Sequence, residues 1–589
     1  MTGWYNPVEL VKTGIRVAIS TVFGQFADKR EALAATNAIA AQPFDESFDY
    51  SNKNRDGDFW FDFVADTGDG WNPTYAVASL LAEDSLQPDG TPEPLARGRL
   101  LVMGGDQVYP TASRQEYEDR LFHPFEEAFK PNGKERWQKE ERPDLYALPG
   151  NHDWYDGLRS FFHLFCRRTI KSAAVAGMDR DGRVIGGRQT RQTRSYFAVR
   201  LREDWWLWGT DSQLEGYIDQ PQIDYFRHVA KHWMKPKSKL ILCVGEPTWA
   251  YLDPDAPEKK YSSLSYLSRL AGAEEGMDHQ LMLVLSGDSH HYARYREGDL
   301  NYVTCGGGGA FLHPTHHLRD KVFDFGYPPP GVPFEEEKAP YQRSFTIARK
   351  QGAEDEEALY PERSASWRLT FGNFLFPVMN WGFTLVLSGA YLLFTWTLYF
   401  NARVIAATEA GAASTGRGLV QALDRGDLPD AMLVYWQIAL ASPWPILLTL
   451  AALGGYYYFA DVEKGWGRLL MGGLHALLQA VVVTATTCLV LRALDDAHIA
   501  VAIVAAAVVS GLASALTFGA YLWFSLAVLH RHWNEAFSSL RIEGFKSFLR
   551  LKIDRDGVLT VHPLGLRRPG DRPHLIEKPF SIPPRGVRP

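Results

Sequence analysis

The chain has 589 residues, a formal net charge of -7 at pH 7 and four scattered cysteines. This length exceeds what one ordinary hydrophobic core accommodates, so two or more domains are expected. The acidic balance gives no reason to expect nucleic-acid binding. The cysteine spacing argues against a disulfide framework or a cysteine zinc site, and no secretory signal is recognised. We therefore expect the first 350 residues to stay in the compartment in which they are made.

The first element in chain order is the stretch VELVKTGIRVAISTVFGQF, which has a helical pattern and carries Lys12 and Arg16. Such a helix either lies on a membrane surface or packs against the soluble domain. Of the two interpretations, packing on the domain is favoured.

Five hydrophobic runs predict strands, and polar side chains follow each of them. The runs are FWFDFVA, RLLVMGG, DLYAL, KLILCV and LMLVLSG. Helical patterns such as NPTYAVASLLAED and QPQIDYFRHVAKHW separate several of them, which predicts a layered α/β domain. Because ligands bind at the carboxyl ends of the strands in such sheets, the polar strand ends are expected to meet in space.

The order of these strand-end motifs resembles the calcineurin-like metallophosphoesterases, and within them the purple-acid-phosphatase pattern. The matching stretches are ADTGDG, GGDQVYP and PGNHDW, and the resemblance extends over residues 55–310. It implies an α/β/β/α sandwich with two bound metal ions. The implied reaction is hydrolysis of a phosphate mono- or diester by a hydroxide that bridges the two metals.

The resemblance also implies roles for single residues. Asp66 and His290 would bind the first metal, Asp106 would bridge both metals, and Asn151 would bind the second. Tyr109 falls at the position where a tyrosinate binds ferric iron in the purple-type enzymes, although a packing role is an equal alternative.

The resemblance assigns His152 and Asp153 to catalysis. His152 would stabilise the phosphoryl group or act as a general acid. Asp153 would orient the imidazole of His152.

Two positions depart from the family pattern, because Glu246 and Asp288 stand where the family has histidines. The second metal would then have oxygen ligands alone. Such ligands suit hard ions, so Mn, Fe or Mg are favoured over Zn for the pair.

Other side chains are further candidates for the metal shell. They are Asp69, His291, and His313 and His316, which follow the glycine run of YVTCGGGGAFLHPTHHL. A surface loop rich in histidine is the alternative for this last group.

A half with few charged residues follows the segment 351–368, which is interpreted as a charged linker. The region 369–530 contains four predicted membrane spans, near 371–400, 433–460, 469–491 and 499–529. Pro443 and Pro445 require the second span to be kinked or to begin as a re-entrant segment. Basic residues flank the first and last spans, which predicts that the soluble domain and the C-terminus face the cytoplasm.

Residues 531–589 are expected to form a cytoplasmic tail. Within it, KSFLRLKIDRDGVLTVHPLGL alternates apolar and polar residues on either side of an Asp-Gly turn, which predicts a β-hairpin.

The leading hypothesis is a multi-pass membrane protein whose metallophosphoesterase domain, residues 1–350, hydrolyses a phosphate ester. The membrane tether suggests a lipid-linked substrate. The alternative is a catalytically degenerate sensor that binds a nucleotide or a phospholipid headgroup. A transporter is disfavoured, because the spans carry few ionisable residues beyond His475. The oligomeric state is not predicted.

Overall fold

The computed structural model describes residues 1–23, 30, 48–51, 57–89, 91–138, 142–167, 182–212, 218–251, 263–272, 278–326, 341–410, 418–424, 426–461 and 465–583. The chain divides into two compact units. The first unit comprises Met1–Thr2, Lys12–Ser366 and Arg541–Pro589. The second comprises Gly3–Val11 and Trp367–Leu540.

The described strands belong to the first unit. In chain order they are β1 (Phe59–Val64), β2 (Ser85–Leu86), β3 (Leu95–Ala96), β4 (Leu100–Gly104), β5 (Asp144–Leu148), β6 (Val184–Ile185), β7 (Arg188–Thr190), β8 (Phe197–Arg200), β9 (Trp205–Gly209), β10 (Lys239–Val244), β11 (Gln280–Ser286), β12 (Tyr292–Glu297), β13 (Leu300–Cys305), β14 (Lys321–Gly326), β15 (Tyr341–Ile347), β16 (Arg349–Lys350), β17 (Ala353–Glu357), β18 (Leu359–Tyr360), β19 (Lys546–Ile553), β20 (Leu559–Leu566), β21 (His574–Leu575) and β22 (Phe580–Ile582). The five runs that the sequence predicts as strands are β1, β4, β5, β10 and β11, so these predictions are confirmed.

Helices precede, separate and follow these strands. They are α1 (Pro7–Phe23), α2 (Trp71–Ala82), α3 (Arg114–Tyr117), α4 (His123–Phe129), α5 (Arg159–Phe165), α6 (Gln220–His228), α7 (Ser263–Gly272) and α8 (Arg363–Leu369). Short π-helical turns lie at Glu118–Phe122 and Val229–Trp233, and 3-10 turns at Pro131–Gly133, Asp153–Asp156 and Thr248–Tyr251.

The strands form two large mixed sheets. The first has the order β21-β20-β19-β1-β4-β5-β7-β6, with β22 beside β20. The second has the order β14-β15-β12-β13-β11-β10-β9-β8, with β18 beside β12. β1, β4 and β5 are parallel neighbours in the first sheet, and β10 and β11 are parallel neighbours in the second. The five strands with polar ends therefore form two groups of adjacent, parallel strands.

Successive side chains of a strand point to opposite faces of its sheet, so each sheet contributes to two hydrophobic cores. Phe61 and Phe63 of β1 share one buried core with Ile241 of β10 and Leu283 of β11, so this core lies between the two sheets. The opposite face of the first sheet packs on α2, α4 and α5, and that of the second sheet on α6 and α7. The layers are thus helix, sheet, sheet, helix, as expected for a layered α/β domain.

The helical pattern predicted near the N-terminus is α1. Arg16 donates a hydrogen bond to the hydroxyl of Thr111 (2.5 Å), so the helix contacts the domain, as the favoured interpretation has it. Val8, Val11 and Ile15 on the same helix are exposed.

The C-terminal segment differs from the predicted tail. β19 and β20 pair antiparallel from Lys546↔Leu566 to Ile553↔Leu559, so the predicted hairpin forms. It is not a separate tail, because β19 also pairs with β1, from Phe59↔Ile553 to Phe63↔Leu549. The hairpin covers the backbone groups that β1 would otherwise present at a sheet edge.

Of the predicted charged linker at 351–368, residues 351–366 are likewise part of the first unit rather than a connection. It contains β17, β18 and the start of α8, and β18 pairs with β12 of the second sheet. The high charge of this stretch fits its strand burial pattern, since most residues of β17 are exposed.

The second unit is helical. Its helices are α9 (Phe376–Met379), α10 (Trp381–Ala410), α11 (Gly418–Leu423), α12 (Leu428–Ala439), α13 (Pro443–Phe459), α14 (Trp466–Ala493), α15 (Ile499–Ala527) and α16 (Trp533–Leu540). By length and composition, α10, α14 and α15 can each cross a membrane. α12 and α13 form a bent pair, which makes four spans if the pair crosses as one.

Two features of the predicted spans are now defined. The predicted kink lies between α12 and α13, which meet at 107° directly before Pro443. The first span begins at Trp381 rather than near residue 371, because a 3-10 helix at Thr370–Leu375 and α9 precede it.

Candidate functional site

Three aspartates that follow parallel strands have a left-handed backbone conformation. The φ angles are 56° at Asp66 after β1, 49° at Asp106 after β4 and 66° at Asp288 after β11. A residue with a side chain pays roughly 1–3 kcal/mol for a sparsely populated backbone region, and such residues cluster at functional sites. Three of them at the ends of three strands mark this edge of the two sheets as a candidate site.

The hydroxyl of Tyr109 joins acidic and imidazole groups at this edge. Its Oη lies 2.8 Å from Oδ1 of Asp66, 2.8 Å from Nε2 of His290 and 3.4 Å from Oδ2 of Asp106. The Nδ1 of His290 donates to the carbonyl of Phe311 (2.7 Å), so Nε2 of the neutral ring is an acceptor. A phenol has one proton to donate. Three acceptor atoms therefore surround one phenolic proton, and Oδ1 of Asp66 also accepts the backbone N–H of Asp288 (3.0 Å).

Burial and mutual repulsion make this cluster of carboxylates hard to ionise. Burial, and then the charges of Asp106 and Asp288, raise the pKa of Asp66 well above its usual value. Burial raises the pKa of Asp106 to about 7. Burial, Asp106 and Glu246 raise the pKa of Asp288. A positive charge placed among these groups would offset both effects.

Two buried oxygen atoms of the cluster have no hydrogen-bond partner within the described part of the chain. They are Oδ2 of Asp66 and Oδ1 of Asn151. The Oδ2 of Asp66 lies against Gly306, where a Cβ atom would stand 2.3 Å from it. A buried polar atom without a partner is uncommon and calls for a ligand, a water or an ion.

The donor atoms fit metal ions. Asp66, Asp106, Tyr109 and His290 would supply oxygen and imidazole donors for one ion. Asp106 and Asp288, with Asn151 in the loop after β5, would supply oxygen donors for a second; Glu246 is exposed, and its charge acts on Asp288. Among the described residues, no group of three or more His, Cys, Asp or Glu side chains is arranged as a metal site. The donors named above also include a phenol and an amide, which lie outside those four residue types.

His152 lies in the site, but its partner differs from the predicted one. Its backbone N–H donates to Oδ1 of Asp106 (2.8 Å), and its Nδ1 donates to the carbonyl of Pro110 (2.7 Å). Burial lowers the pKa of His152 to about 4. The carboxylate of Asp153 accepts from the backbone N–H of Gly150 (2.9 Å) instead. A backbone carbonyl therefore orients the imidazole, and Asp153 braces the loop that carries it.

Asp69 and His313 act on the site through their neighbours. Both carboxylate oxygens of Asp69 accept backbone N–H groups, from Thr2 (3.0 Å) and from Phe311 (3.0 Å). His313 stacks on His290 with ring centres 3.8 Å apart, and its Nδ1 accepts from the backbone N–H of His290 (3.2 Å). These contacts position groups of the site rather than add ligands to it.

His291 and His316 have different surroundings. His316 is hydrogen-bonded through Nδ1 to the hydroxyl of Ser366 (2.8 Å). His291 is buried, and burial lowers its pKa to about 3. Neither has a described hydrogen bond to the carboxylates of the site.

Sequence reasoning missed three groups. The hydroxyl of Tyr117 donates to Asp153, the carbonyl of Phe311 accepts from His290, and Lys546 of β19 is fully buried near Asp66 and Asp69. The only signal for Lys546 was a basic residue at the start of a predicted strand.

Comparisons with known proteins add little. No protein-family model and no curated protein matches the chain. Among solved structures, one that matches is described as "GAP50 the anchor in the inner membrane complex of Plasmodium". The match has 12% sequence identity and a TM-score of 0.28, and it covers 49% of this chain and 78% of that one. A likeness this distant carries no argument about fold or function.

Proposed function

We propose that the first unit is a metal-dependent phosphoesterase of the calcineurin-like type and that the second unit holds it in a membrane. One observation carries the proposal. Oδ1 of Asp66, Nε2 of His290 and Oδ2 of Asp106 all approach the oxygen of Tyr109, which has one proton for three acceptors. A metal ion at this point would satisfy all of them.

Two metal ions would supply the positive charge that polarises a phosphoryl group. Asp66, Asp106, Tyr109 and His290 would hold the first, and Asp106, Asn151, Asp288 and Glu246 the second. The resemblance and the oxygen-rich second set favour Mn, Fe or Mg over Zn. The chain itself orients these donors: the backbone N–H of His152 fixes one oxygen of Asp106, and that of Asp288 fixes one oxygen of Asp66 (3.0 Å).

His152 is the residue of this chain best suited to meet the substrate. Its Nδ1–H is committed to the carbonyl of Pro110, so Nε2 of the neutral ring is an acceptor. With its pKa lowered to about 4, the ring is neutral at pH 7. In that state it would take part as a hydrogen-bonding or proton-accepting group, and as a general acid only after protonation.

The second unit suggests where the substrate lies. Three membrane-length helices, or four spans with the bent pair, would keep the phosphoesterase close to a bilayer. We therefore propose a phosphate ester at the membrane, such as a lipid-linked one, as the substrate. The basic residues that flank the spans support a cytoplasmic site. Nucleic acid is not proposed as a partner.

A sensor that binds a phosphate compound without turning it over is the second candidate. The observation that favours it is the position of Glu246, which is exposed although it stands where the family has a metal-binding histidine. If Glu246 does not engage the second metal, the site would bind one ion and a phosphate group without completing the two-metal arrangement.

The test uses the full-length protein in detergent, stripped of metal and reloaded with Mn²⁺, Fe²⁺ or Zn²⁺. Turnover is measured with a chromogenic phosphate monoester, a chromogenic diester and phospholipid vesicles. The variants are Asp106→Asn and, as a matched control, Asp204→Asn. Asp204 precedes β9, at the strand end opposite to the site, and is half-exposed.

If the protein is an esterase, it should turn over at least one substrate, and Asp106→Asn should lower that turnover by more than about 100-fold. Loss of a metal ligand should lower activity at least as much as loss of a group that supports a ligand. Asp204→Asn should retain full activity. Metal binding that Asp106→Asn weakens, with no turnover of any of the three substrates, would favour the sensor. Absence of metal binding in the unaltered protein would end both proposals.

A further inference from the structure

Lys546 is a buried cation whose role the metal donors alone do not explain. It is the first residue of β19, its side chain is fully buried, and its Nζ donates a hydrogen bond to the carbonyl of Ala310. Burial of a lysine is costly and lowers the pKa of Lys546 to about 8. The buried amine makes a hydrogen bond that an apolar side chain could not make.

The peptide group between Ala310 and Phe311 is held from both sides. Lys546 donates to its carbonyl oxygen, and its N–H donates to Oδ2 of Asp69 (3.0 Å). The carbonyl oxygen and the N–H of one peptide group are thus hydrogen-bonded to a cation and to an anion, respectively. Charge-assisted hydrogen bonds of this kind are shorter and stronger than neutral ones, so the orientation of this peptide group is well defined.

Two metal donors contact the peptide groups on either side of this one. The backbone N–H of Ala310 donates to the backbone carbonyl of Asp66 (2.8 Å). The carbonyl of Phe311 accepts from Nδ1 of His290 (2.7 Å) and thereby leaves Nε2 to face Tyr109 and Asp66. When a carbonyl accepts a hydrogen bond from the ring nitrogen that does not face the metal, it sets the tautomer and the ring orientation of the histidine.

We infer that Lys546 is a positioning residue of the metal site, which acts with Asp69 through the Ala310–Phe311 peptide group to orient His290. This inference rests on the proposed function and extends it to a residue of the C-terminal segment. Lys546 would not be a metal ligand, because its amine is hydrogen-bonded to the carbonyl of Ala310; its effect would pass through the carbonyl of Phe311.

Electrostatics alone predicts the opposite effect. A buried cation repels a metal ion, so removal of its charge would tighten metal binding if charge were its whole contribution. Loss of a positioning group weakens metal binding, typically by about 10–100-fold. The sign of the change therefore separates the two roles.

The test measures Mn²⁺ affinity of the full-length protein by calorimetry. Lys546→Met keeps the length of the side chain and removes the amine, and we expect it to weaken binding by about 10–100-fold. Lys552→Met is the matched control, since Lys552 lies on the same strand and is paired with Asp58 at the surface (3.4 Å). The control should leave the affinity unchanged.

A double-mutant comparison tests whether the effect passes through His290. In a His290→Ala protein, Lys546→Met should cause little further loss, because the ring that Lys546 orients is absent. A full, additive loss in that background would overturn the inference, as would unchanged or tighter binding in the single variant.

If Lys546→Met does not fold, Asp69→Ala examines the same peptide group from its other side. It should weaken Mn²⁺ binding in the His290 protein and not in the His290→Ala protein, and unchanged binding would overturn the inference. If the unaltered protein binds Mn²⁺ and these variants bind it equally well, only this inference fails. If the unaltered protein binds no Mn²⁺, the proposed function fails and this inference falls with it.

Discussion

The two units are assembled from the chain in different ways. The first joins segments that lie hundreds of positions apart, so that β1 of residues 59–64 pairs with β19 of residues 546–553. Apart from Gly3–Val11, the second is one continuous stretch, Trp367–Leu540, inserted between two parts of the first. A unit split in this way folds only after its distant segment has been made, whereas the contacts of the inserted unit, including those of α10 with α15, form within one stretch of chain.

The two interiors differ as well. The first unit buries ion pairs that bridge distant segments, such as Arg294 with Glu577 (2.7 Å) and Arg550 with Asp62 (2.8 Å). The second unit brings helices together through small residues and hydroxyl groups, as where Ser514 donates to the side chain of Gln479 (2.8 Å). Close approach and interhelical hydrogen bonds are the usual means of holding helices together in a membrane, where no hydrophobic driving force acts between them.

The largest expected effect follows from removing the C-terminal segment. A fragment of residues 1–351 should not fold, because it lacks β19 to β22. Leu549, Leu551, Ile553, Leu559 and Val561 are fully buried in the core between the sheets. At roughly 1.5–3 kcal/mol for each buried side chain, their loss is comparable to the whole stability of a domain, about 5–15 kcal/mol.

The converse protein should fold without the membrane helices. It joins residues 1–366 to residues 541–589 through a Gly/Ser linker of about 20 residues, a length that gives a flexible reach of roughly 25 Å. We expect one cooperative thermal transition, and the same from a control that lacks only residues 584–589. Cooperative unfolding of the 1–351 fragment would show that the C-terminal segment is not needed.

Membrane topology is the next consequence of the split. Residues 341–366 and 541–583 belong to one folded unit, so both ends of the inserted helices must emerge on the same side of the membrane. The number of crossings is therefore even, and the bent pair of α12 and α13 must cross if α10, α14 and α15 do. A re-entrant bent pair would leave three crossings and place the two ends on opposite sides.

Cysteine labelling with a membrane-impermeant reagent measures this topology. Cysteines at Asp424 and Asp496 should react from the side opposite to the first unit, and a cysteine at Trp466 from the same side. The parent protein, whose cysteines are largely buried, is the control. Labelling of Asp424 and Trp466 from one common side would show that the bent pair of α12 and α13 does not cross, and would contradict four crossings.

Strand β19 shows what the sequence reveals and what it hides. Alternation correctly predicted the hairpin, and the hydrophobic runs before polar residues correctly predicted β1, β4, β5, β10 and β11. Lys546 and Arg550 are polar residues of this alternating pattern, yet both are fully buried. Their partners, the carbonyl of Ala310 and the carboxylate of Asp62, lie 236 and 488 positions away, and no local pattern reports such a pairing.

In the candidate site, too, some features could be predicted from the sequence and others could not. Residue types at strand ends are visible in a sequence, because parallel strands bring their carboxyl ends together. Backbone groups are not visible, so the roles of the carbonyls of Pro110 and Phe311 could not be predicted, and Asp153 was assigned the imidazole that Pro110 holds. Tertiary geometry decides which partner each side chain finds.

A smaller effect is expected from breaking the buried pair that fastens β19 to β1. Arg550 and Asp62 are 0% and 2% exposed, so Arg550→Met leaves a buried carboxylate without its cation. We expect a loss of about 3–5 kcal/mol in the free energy of unfolding. It is measured by chemical denaturation of the protein that joins residues 1–366 to residues 541–589. The double change Asp62→Leu with Arg550→Met should recover much of the loss. Equal stability of Arg550→Met and the parent would show that the pair does not fasten the strand.

The smallest expected effect concerns the close approach of α10 and α15 in the second unit. A Cβ atom at Gly511 would lie 2.0 Å from Oγ of Ser388 and 2.8 Å from its Cα, so Gly511→Ala must push the two helices apart. Overpacking of this kind typically costs about 1–3 kcal/mol, measured as a lower thermal midpoint in detergent. Gly389→Ala is the matched control, because a Cβ at Gly389 of α10 meets no atom within 4 Å among the described residues. The first unit does not depend on this packing, so metal binding should be unchanged in both variants, and a loss of metal affinity in Gly511→Ala alone would show that the two units are coupled.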